Sequence, residues 1–431
     1  MELNPVLISI IVLCTLCIFR INVLLSLMIS TVIAGFIAGF PISKTMDLFI
    51  QGSGQNSETA LSYILLGVIA AAMTHTGLAY SLSTKISGII KNNKYLLIGI
   101  LVIISILSQN LIPVHIAFIP ILIPPLLGLM NKLNLDRRAV ACALAFGLKA
   151  PYIALPAGFG LIFQGLIAAN LTQNNVFVEK TDIWRYSWFL GFAMFVALLV
   201  CVFVSYKKPR IYKTIEKKEE NKEIKFTKKQ LVTLFGAFIA LVVQLLSGSL
   251  PLGALCGLIV IFGFRAVDQS KMDFLMNEGV ALMGYIAFVM LVCSGFALVL
   301  KESGGIDSLV SAIIPFVENS KFLATSAILL AGLIITIGIG SSFGTIPILA
   351  VLFTPLCLKL GFSTPSIIIL LCASAALGDA GSPASDTTLG PSAGLGADNQ
   401  HDHIKDTCIP TFLHYNTALI IAAFIAVYFL N

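Results

Sequence analysis

The chain has 431 residues, of which 58% are hydrophobic and only 11% are charged, and its mean hydropathy is +0.97. Soluble domains average about 25% charged residues, so this composition excludes an ordinary soluble enzyme. A nucleic-acid-binding protein would carry a basic folded face. The formal charge of +6 comes from residues 207–229, which hold ten Lys/Arg and four Glu, while the rest of the chain is neutral overall. The pattern indicates a polytopic protein whose partner is the lipid bilayer and which binds no nucleic acid.

Stretches of about 20 mostly apolar residues, the length of a spanning helix, recur along the whole chain. They lie at roughly 4–19, 21–40, 60–80, 95–130, 139–170, 187–206, 231–247, 250–265, 279–300, 322–360, 364–395 and 409–430. Several exceed one crossing and are interrupted by Pro, Gly and polar residues. We therefore predict an all-α polytopic membrane protein with about ten to twelve transmembrane helices and broken or re-entrant pieces. Met1-Glu2 lacks the basic region of a cleavable signal peptide, and none is expected.

The basic segment divides the spans into two sets. We predict an N-terminal transmembrane half at 1–206, a linker at 207–230 and a C-terminal transmembrane half at 231–431. Loops rich in Lys and Arg stay on the cytoplasmic side, so the linker should be cytoplasmic in a multi-pass protein of the plasma (inner) membrane. Its mixture of Lys and Glu is typical of a solvated linker.

The two halves share an ordered series of polar and glycine positions. Two matches keep one constant offset in the numbering, Thr76-Gly77 with Ser303-Gly304 and Asn92…Lys94 with Asn319…Lys321. Further along, in the same order but at slightly different offsets, Gln109-Asn110 matches Ser341-Ser342, and Gly147-Leu148-Lys149 matches Leu377-Gly378-Asp379. A simpler explanation is that Gly and Ser are common in any membrane helix. The retained order favours an internal structural repeat, the usual architecture of secondary transporters.

Three charged residues fall inside apolar stretches and away from the loops, namely Lys149, Asp379 and Asp386. A charge at membrane depth costs at least about 2.5–3.5 kcal/mol, so each should have a partner or a use. One interpretation is that Lys149 only pairs with an aspartate and holds the halves together. The second aspartate and the hydroxyl groups around it favour a functional site.

Segment 378–392 cannot be a plain helix, because three glycines and two prolines interrupt its hydrogen bonds. Broken backbone persists at membrane depth only where protein or a water-filled cavity satisfies it. Its carbonyls, hydroxyls and two carboxylates predict a site for a hard cation such as Na⁺, and either aspartate could instead carry a proton.

Two other breaks lack acidic residues. Segment 338–347 offers hydroxyls and half-helix N-termini suited to a carboxylate or a dehydrated ion. Its counterpart in the first half contributes the side chains of Gln109 and Asn110 and the imidazole of His115. A lone histidine near a helix break is more often a hydrogen-bonded residue than a proton carrier.

The sequence predicts no resident metal or cofactor. The nine cysteines are scattered and mostly lie in apolar runs, so we expect small apolar side chains rather than disulfides or ligands. His401-Asp-His403 has the spacing of a metal pair, but no third ligand is nearby in its loop, and a solvated surface is expected. Na⁺ or H⁺ would enter only as a transported ion.

The second-half motifs resemble those of a known family. Gly378-Asp-x-x-Ser-Pro-x-Ser-Asp-Thr-Thr-Leu389 is similar to the signature of NhaC-type Na⁺/H⁺ antiporters, and Gly340-Ser-Ser-Phe-Gly-Thr345 resembles the earlier break of the same group. The resemblance covers roughly 230–431 and, more loosely, the whole chain. It implies the ion-transporter-superfamily fold, with two inverted repeats, re-entrant hairpins and a site at the membrane midplane. By this likeness the ion site comprises Asp379, Ser382, Ser385, Asp386 and Thr387, faced by Ser341, Ser342 and Thr345.

The first half departs from the antiporter pattern, because Lys149-Ala-Pro-Tyr152 stands where a second acidic break could lie. An ammonium there can mimic bound Na⁺ or hold a substrate carboxylate. The pattern resembles the YuiF-like branch, which is associated with transport of histidine or basic amino acids. A site with one cationic and one carboxylate wall suits a small zwitterionic or cationic substrate. We therefore expect ion-coupled amino acid transport, with Lys149, Gln109, Asn110, Ser341, Ser342 and Thr345 binding the substrate.

The main alternative is a Na⁺/H⁺ antiporter without an organic substrate, in which the two ions compete for the aspartates. An intramembrane aspartyl protease is disfavoured, because residues 322–360 lack the second catalytic acid. A passive channel is disfavoured by the broken repeats with buried charges. The protein is therefore not expected to be an enzyme. Related folds are often dimers, so a homodimer is expected as one arrangement.

Overall fold

A computed structural model of the protein describes residues 4–19, 21–78, 81, 93–111, 119–120, 122–213, 226–318, 320–383 and 385–431. Within these ranges the regular secondary structure is helical, which confirms the predicted all-α membrane fold. In the first half the helices are α1 (Pro5–Ile18), α2 (Val23–Ile37), α3 (Ile42–Gly54), α4 (Ser57–His75), α5 (Lys94–Ile106), α6 (Leu127–Lys132), α7 (Arg137–Ala154), α8 (Phe159–Gln173) and α9 (Lys180–Val200).

In the second half the helices are α10 (Lys228–Ser247), α11 (Leu250–Gly263), α12 (Met272–Glu302), α13 (Gly305–Val317), α14 (Lys321–Ile339), α15 (Ser342–Lys359), α16 (Thr364–Ala376), α17 (Asp386–Leu395), α18 (Ile409–Thr411) and α19 (Thr417–Leu430). In the described part of the chain, π-helical segments interrupt or extend these helices. They are Leu107–Leu111, Cys201–Ser205, His403–Cys408 and Phe412–Asn416.

Among the described residues six helices are long and apolar enough to cross a membrane. The pair α7 and α8, bent by 47° at a short break, would make a seventh span, and shorter apolar helices of 10–17 residues accompany them. The long spans are fewer than the ten to twelve crossings expected from the sequence, because several apolar stretches fold as short helices joined by breaks.

The central helices carry polar groups, and the peripheral helices carry apolar surface. Helices α7, α15 and α16 are buried on almost every face, and α15 packs against α8, α12 and α16. By contrast α9 and α10 expose large apolar side chains, among them Phe192, Phe235 and Phe238. Lipid solvates such faces as well as protein does, so the hydroxyls and charges are confined to the middle of the bundle.

Corresponding helix boundaries in the two halves keep the constant offset noted in the sequence. It separates the starts of α5 and α14 (94 and 321), of α7 and α16 (137 and 364) and of α8 and α17 (159 and 386). The ends of α4 and α12 (75 and 302) have the same offset, and both helices are followed by a left-handed glycine, Gly77 with φ 70° and Gly304 with φ 69°. The helices therefore repeat along the chain, as an internal repeat requires. The inversion of the two repeats stays a prediction.

A buried ion pair attaches the loop after α17 to the start of α7. The guanidinium of Arg137, fully buried, donates to the two carboxylate oxygens of Asp398 at 2.6 and 2.5 Å and to the carbonyl of Leu395 at 2.9 Å. Burial raises the pKa of Asp398, but the hydrogen bonds and charge of Arg137 lower it more, so this pKa lies below its ordinary value. The pair is one link between the halves.

His401, in the same loop, predicts an acid-dependent loss of stability. Burial lowers the pKa of this imidazole to about 4, from an ordinary value of 6.5, and Nε2 lies 2.7 Å from the Thr407 hydroxyl. As pH falls below 6.5 the unfolded chain takes up a proton that the folded chain refuses, so His401 lowers stability by up to about 1.4 kcal/mol per pH unit. Above 6.5 it has no effect.

Thermal unfolding midpoints of purified protein between pH 7.5 and 4.5 should therefore fall less steeply in His401→Asn than in wild type. The exposed His75 provides the control His75→Asn, which should follow wild type. Equal slopes in His401→Asn and wild type would contradict the prediction.

Candidate functional site

The junction between α14 and α15 is the first of two breaks that build the site in the second half. Gly340 ends α14 in the left-handed conformation, with φ 73°, a conformation that costs residues other than glycine free energy. Ser341 then caps α15, accepting a hydrogen bond from the backbone N–H of Gly344 at 3.4 Å. This geometry places Ser342 at the first position of α15, with its hydroxyl inside the bundle.

The second break, 377–385, separates α16 from α17. Leu377 is extended, and Gly378 and Gly381 have positive φ, 80° and 97° respectively. Asn416 satisfies the freed backbone, since its side chain accepts from the N–H of Gly378 at 3.2 Å and donates to the carbonyl of Ala380 at 3.0 Å. At these two positions the broken backbone keeps hydrogen-bond partners, as backbone at membrane depth must.

The first half contributes α7, whose last turn contains Pro151. Lys149 and Tyr152 are three positions apart and lie on one face of this helix. Both side chains are fully buried, 1% exposed in each case. Leu155 is extended and ends the helix, so the two polar side chains lie close to a break in the first half as well.

Asp379 is the centre where these elements meet. Its Oδ2 lies 2.8 Å from Lys149 Nζ, 2.6 Å from Ser342 Oγ and 3.2 Å from the Tyr152 hydroxyl. Its Oδ1 accepts a hydrogen bond from the hydroxyl of Ser385. The carboxylate thus has donors on both oxygens, close to the full set of acceptor positions available to it.

The same contacts connect the two halves. Lys149 Nζ also donates to Ser342 Oγ at 3.3 Å, and the Tyr152 hydroxyl donates to it at 3.0 Å. A buried ion pair with a full set of hydrogen bonds compensates the desolvation of both charges, and removing one partner leaves the other charge uncompensated. Any movement that separates α7 from the breaks must replace these contacts with others.

Helix α17 brings a second group of oxygens beside Asp379. Ser385 Oγ caps this helix by accepting from the Thr387 N–H at 3.2 Å, and it lies 2.8 Å from Thr387 Oγ1. Asp386 is the first residue of the helix and is half-buried, whereas Asp379 is 3% exposed. Carboxylate and hydroxyl oxygens at a helix N-terminus form a polar wall that continues outward from Asp379.

Of the predicted site residues, Lys149, Ser342, Asp379, Ser385 and Thr387 form one connected cluster. The sequence assigned the first two to substrate and the last three to the ion, and the structure does not separate these sets.

Other predicted residues lie outside this cluster. Ser341 caps α15, and Thr345 bonds the Ser341 and Ser342 carbonyls at 3.2 and 2.9 Å. The hydroxyl of Ser382 donates to the Ile337 carbonyl at 3.4 Å. Gln109 is buried on a π-helical segment packed against α7 and α8, and its Oε1 has no hydrogen-bond partner among the described residues. The side chain of Asn110 and all of His115 lie outside the described residues.

Sequence reasoning missed Tyr152 and the aromatic cluster around Phe343. The Phe343 ring lies 5.0 Å from that of Tyr152, 5.5 Å from Phe159, 5.9 Å from Phe163 and 6.1 Å from Tyr63. The spacing of Tyr152 from Lys149 on α7 was the available signal. The rings line one side of the polar cluster with apolar surface from both halves.

His401 and His403 are also more enclosed than expected. Both are half-buried, and His403 lies 2.7 Å from the Ser392 hydroxyl through Nδ1 and 3.0 Å from the Pro383 carbonyl through Nε2. They are not a solvated surface pair, because the loop folds back over the second break.

Broken helices that meet around a buried charge pair at the junction of two repeats define a secondary-transporter architecture. The chain belongs to the Na⁺/H⁺ antiporter family, whose sequence profiles it matches over residues 143–427 and, for a second profile described as a Na⁺-H⁺ antiporter family, over residues 4–90.

Curated relatives agree over nearly the full chain. An uncharacterized membrane protein of Vibrio parahaemolyticus is 44% identical, with 98% of this chain and 99% of the relative covered. A Bacillus subtilis protein named "Putative amino acid transporter YuiF" is 43% identical, with 98% of this chain and 99% of the relative covered. This similarity confirms the resemblance drawn from the motifs.

Two solved structures share the fold. The YdaH transporter of Alcanivorax borkumensis, whose topology is described as unusual, matches with a TM-score of 0.60 over 90% of this chain and 88% of its own, at 13% identity. MtrF of Neisseria gonorrhoeae, described as illuminating a class of antimetabolite efflux pumps, matches with a TM-score of 0.57 over 90% and 85%, at 15% identity. At these identities the likeness shows the fold alone.

Proposed function

We propose that the protein is an ion-coupled transporter of a small amino acid, such as histidine or a basic amino acid, working by alternating access. The contact of Lys149 Nζ with Asp379 Oδ2 at 2.8 Å carries the proposal. This contact puts a buried cation and a buried anion on opposite halves of one site. The relationship to a protein named as an amino acid transporter supports the substrate class.

A zwitterion is the ligand that such a pair can accept at least cost. Separating Lys149 from Asp379 leaves two uncompensated charges, each costing several kcal/mol (about 3–5 kcal/mol for a broken buried pair). An amino acid placed between them would pair its carboxylate with Lys149 and its ammonium with Asp379. Every charge then keeps an opposite partner. Ser342, which donates to Asp379, and Tyr152, which donates to Ser342, can each donate to the substrate carboxylate instead.

The coupling ion is proposed to bind on the α17 side of the same site. Asp386, with the oxygens of Ser385 and Thr387, provides the ligands that a hard cation prefers. Asp386 is half-buried and so accessible to an ion from one side. It could equally take a proton, which makes H⁺ the alternative coupling ion.

A Na⁺/H⁺ antiporter without organic substrate is the second candidate, and the family description favours it. In this case Na⁺ would take the place of the Lys149 ammonium at Asp379, and the displaced lysine would lose its proton because an unpaired buried ammonium is costly. One ion would then exchange for the other at a single carboxylate.

Further properties form part of the proposal. We place the protein in the plasma (inner) membrane with residues 207–230 cytoplasmic, on the distribution of Lys and Arg. The family and the structural neighbours are transporters, which supports transport rather than catalysis. The proposed transport itself uses no resident cofactor. A homodimer is the proposed assembly.

Counterflow in proteoliposomes tests the function. Radiolabelled histidine, arginine and lysine are offered to vesicles preloaded with the unlabelled amino acid, with and without a Na⁺ or pH gradient. Wild type should accumulate at least one label, whereas Lys149→Ala and Asp386→Asn should lose at least about 90% of the uptake, since one site wall or the coupling group is removed.

Lys359→Ala is the matched control. This lysine also lies on a membrane helix of the second half, but it is exposed and 3.8 Å from exposed Asp307, so uptake should be retained. No uptake of any amino acid, combined with a Na⁺-dependent response of a lumenal pH dye, would reject amino acid transport and support the antiporter.

A further inference from the structure

A cluster of two thiols and an imidazole lies outside the charged site. The ligating atoms of Cys142, Cys201 and His414 all lie within 4.8 Å of one another, with both cysteines buried and the histidine half-buried. The residues come from α7, from the segment that extends α9 and from the segment before α19. Sulfur and imidazole nitrogen are the donors that Zn²⁺ prefers.

The ring of His414 is oriented as a metal ligand would be. Nδ1 lies 2.7 Å from the carbonyl of Pro410, which can only accept, so Nδ1 carries the proton. In the neutral imidazole Nε2 is then the nitrogen with the free lone pair, and it lies 2.9 Å from the hydroxyl of Ser205. Histidines that bind metals commonly fix their tautomer through such a bond to a backbone carbonyl.

The backbone at the cluster is irregular on two sides. Cys201 begins the π-helical segment Cys201–Ser205, and His414 lies in the π-helical segment Phe412–Asn416. π-Bulges are rare and often occur at functional sites. Each of these segments carries one of the candidate ligands.

We propose that Cys142, Cys201 and His414 form a binding site for Zn²⁺ or a similar thiophilic divalent cation. Binding would form two metal–sulfur bonds and one metal–nitrogen bond, releasing the two thiol protons to solvent, and the fourth position would hold water. The three proposed ligands, at positions 142, 201 and 414, are too far apart along the chain for a sequence motif to mark the site.

The position of the cluster gives the ion a consequence for transport. Cys142 is two helical turns from Lys149 on α7, about 10 Å along the axis. His414 lies close in the chain to Asn416, which holds the break that carries Asp379. A bound cation would therefore tie together the elements that hold the two partners of the ion pair, and so inhibit their separation. This consequence rests on the proposed alternating access, whereas binding itself does not.

Zinc content of the untagged, reduced, full-length protein tests the site. After incubation with Zn²⁺ and desalting, mass spectrometry should find one ion per wild-type chain. Cys142→Ser, Cys201→Ser and His414→Gln should each weaken binding by at least about 100-fold, because loss of even an outer-shell partner commonly costs about 10–100-fold. X-ray absorption of zinc-loaded wild type should show two sulfur ligands near about 2.3 Å and nitrogen near about 2.0 Å, a readout that needs no variant.

Two cysteines serve as controls. Cys357→Ser replaces a buried thiol on α15 that is not a member of the cluster, and this variant should bind zinc normally. Cys408 lies 3.6 Å from Nε2 of His403, and these two side chains are another thiol and imidazole that could hold Zn²⁺. If the ion binds at the proposed cluster instead, Cys408→Ser should also bind zinc normally. Absence of zinc in wild type, a sulfur-free absorption spectrum, or loss of binding only in Cys408→Ser would overturn the proposal.

Inhibition is measured separately. If Zn²⁺ binds as proposed, it should inhibit wild-type transport reversibly. Cys142→Ser should transport as well as wild type in the absence of zinc, and added Zn²⁺ should not inhibit it. Binding without inhibition would retain the site and reject its effect on alternating access. Failure of amino acid counterflow would leave the zinc content unchanged, so the two proposals fail independently.

Discussion

Lys149→Met and Asp379→Asn should each abolish transport and destabilise the protein by about 3–5 kcal/mol, while the double variant regains most of the stability and none of the transport. Each single change leaves one charge buried and unpaired, the costly case for a buried ion pair. The double change removes both charges. The introduced asparagine keeps one oxygen, which can accept from one of the two serine hydroxyls, and its amide N–H can donate to the oxygen of the other. About 1.4 kcal/mol corresponds to a factor of ten in an equilibrium constant. The expected difference in unfolding free energy between the single variants and the double variant is therefore large. Unfolding free energies in mixed micelles and counterflow in proteoliposomes measure the two effects.

An exposed pair on the same protein provides the control. Lys359 and Asp307 lie 3.8 Å apart and are 43% and 84% exposed. Exposed pairs contribute about 0–1 kcal/mol, so the cycle Lys359→Met, Asp307→Asn and the double variant should change stability by less than about 1 kcal/mol and leave transport intact.

The cycle separates the two interpretations of Lys149 that the sequence left open. If the lysine only holds the halves together, the neutral double variant should transport at nearly the wild-type rate. Transport by that variant would therefore reject both the zwitterion site and the cation-exchange alternative, since each requires a charge at Asp379.

The sequence predicted the breaks and the buried charges because both violate the rules for a membrane helix. Pro and Gly interrupt backbone hydrogen bonds that lipid cannot replace, and Lys149, Asp379 and Asp386 are costly in an apolar stretch. Both kinds of exception can be recognised from the amino-acid sequence alone. The constant offset between the halves was visible as well, since caps such as Gly77 and Gly304 mark helix ends.

The sequence did not show which of the two aspartates pairs with Lys149. Asp379 and Asp386 lie in one short segment, and only the turn at 377–385 decides that Asp379 enters the cluster and that Asp386 starts α17. Tyr152 was missed because a tyrosine in an apolar stretch has an ordinary explanation as a packed ring. Gln109 and Ser382 were assigned to the site by residue type, whereas the direction of a side chain depends on packing against other helices.

Gly378→Ala should destabilise the protein by about 2–5 kcal/mol and abolish transport. A Cβ at this position would lie 2.7 Å from both the Leu333 carbonyl oxygen and the Ile337 amide nitrogen, which belong to α14, and φ is +80°. Left-handed backbone costs a residue with a Cβ about 1–2 kcal/mol, and overpacking adds about 1–3 kcal/mol. The contacted atoms are helix backbone, so the break must move instead, and Asp379 is the next residue.

Gly361→Ala measures the cost of the left-handed backbone conformation without that of overpacking. Gly361 has φ +68°, and beyond its two chain neighbours no heavy atom of the described residues lies within 4 Å of the position that a Cβ would take. Alanine there therefore meets the strain of the left-handed conformation without a clash. It should lose about 1–2 kcal/mol and keep its transport, when thermal stability and counterflow are measured beside Gly378→Ala. The difference between the two variants is then the cost of displacing the second break from α14. Equal stability and equal transport in both would show that the break tolerates displacement, and that the position of the Asp379 carboxylate is not set by its packing against that helix.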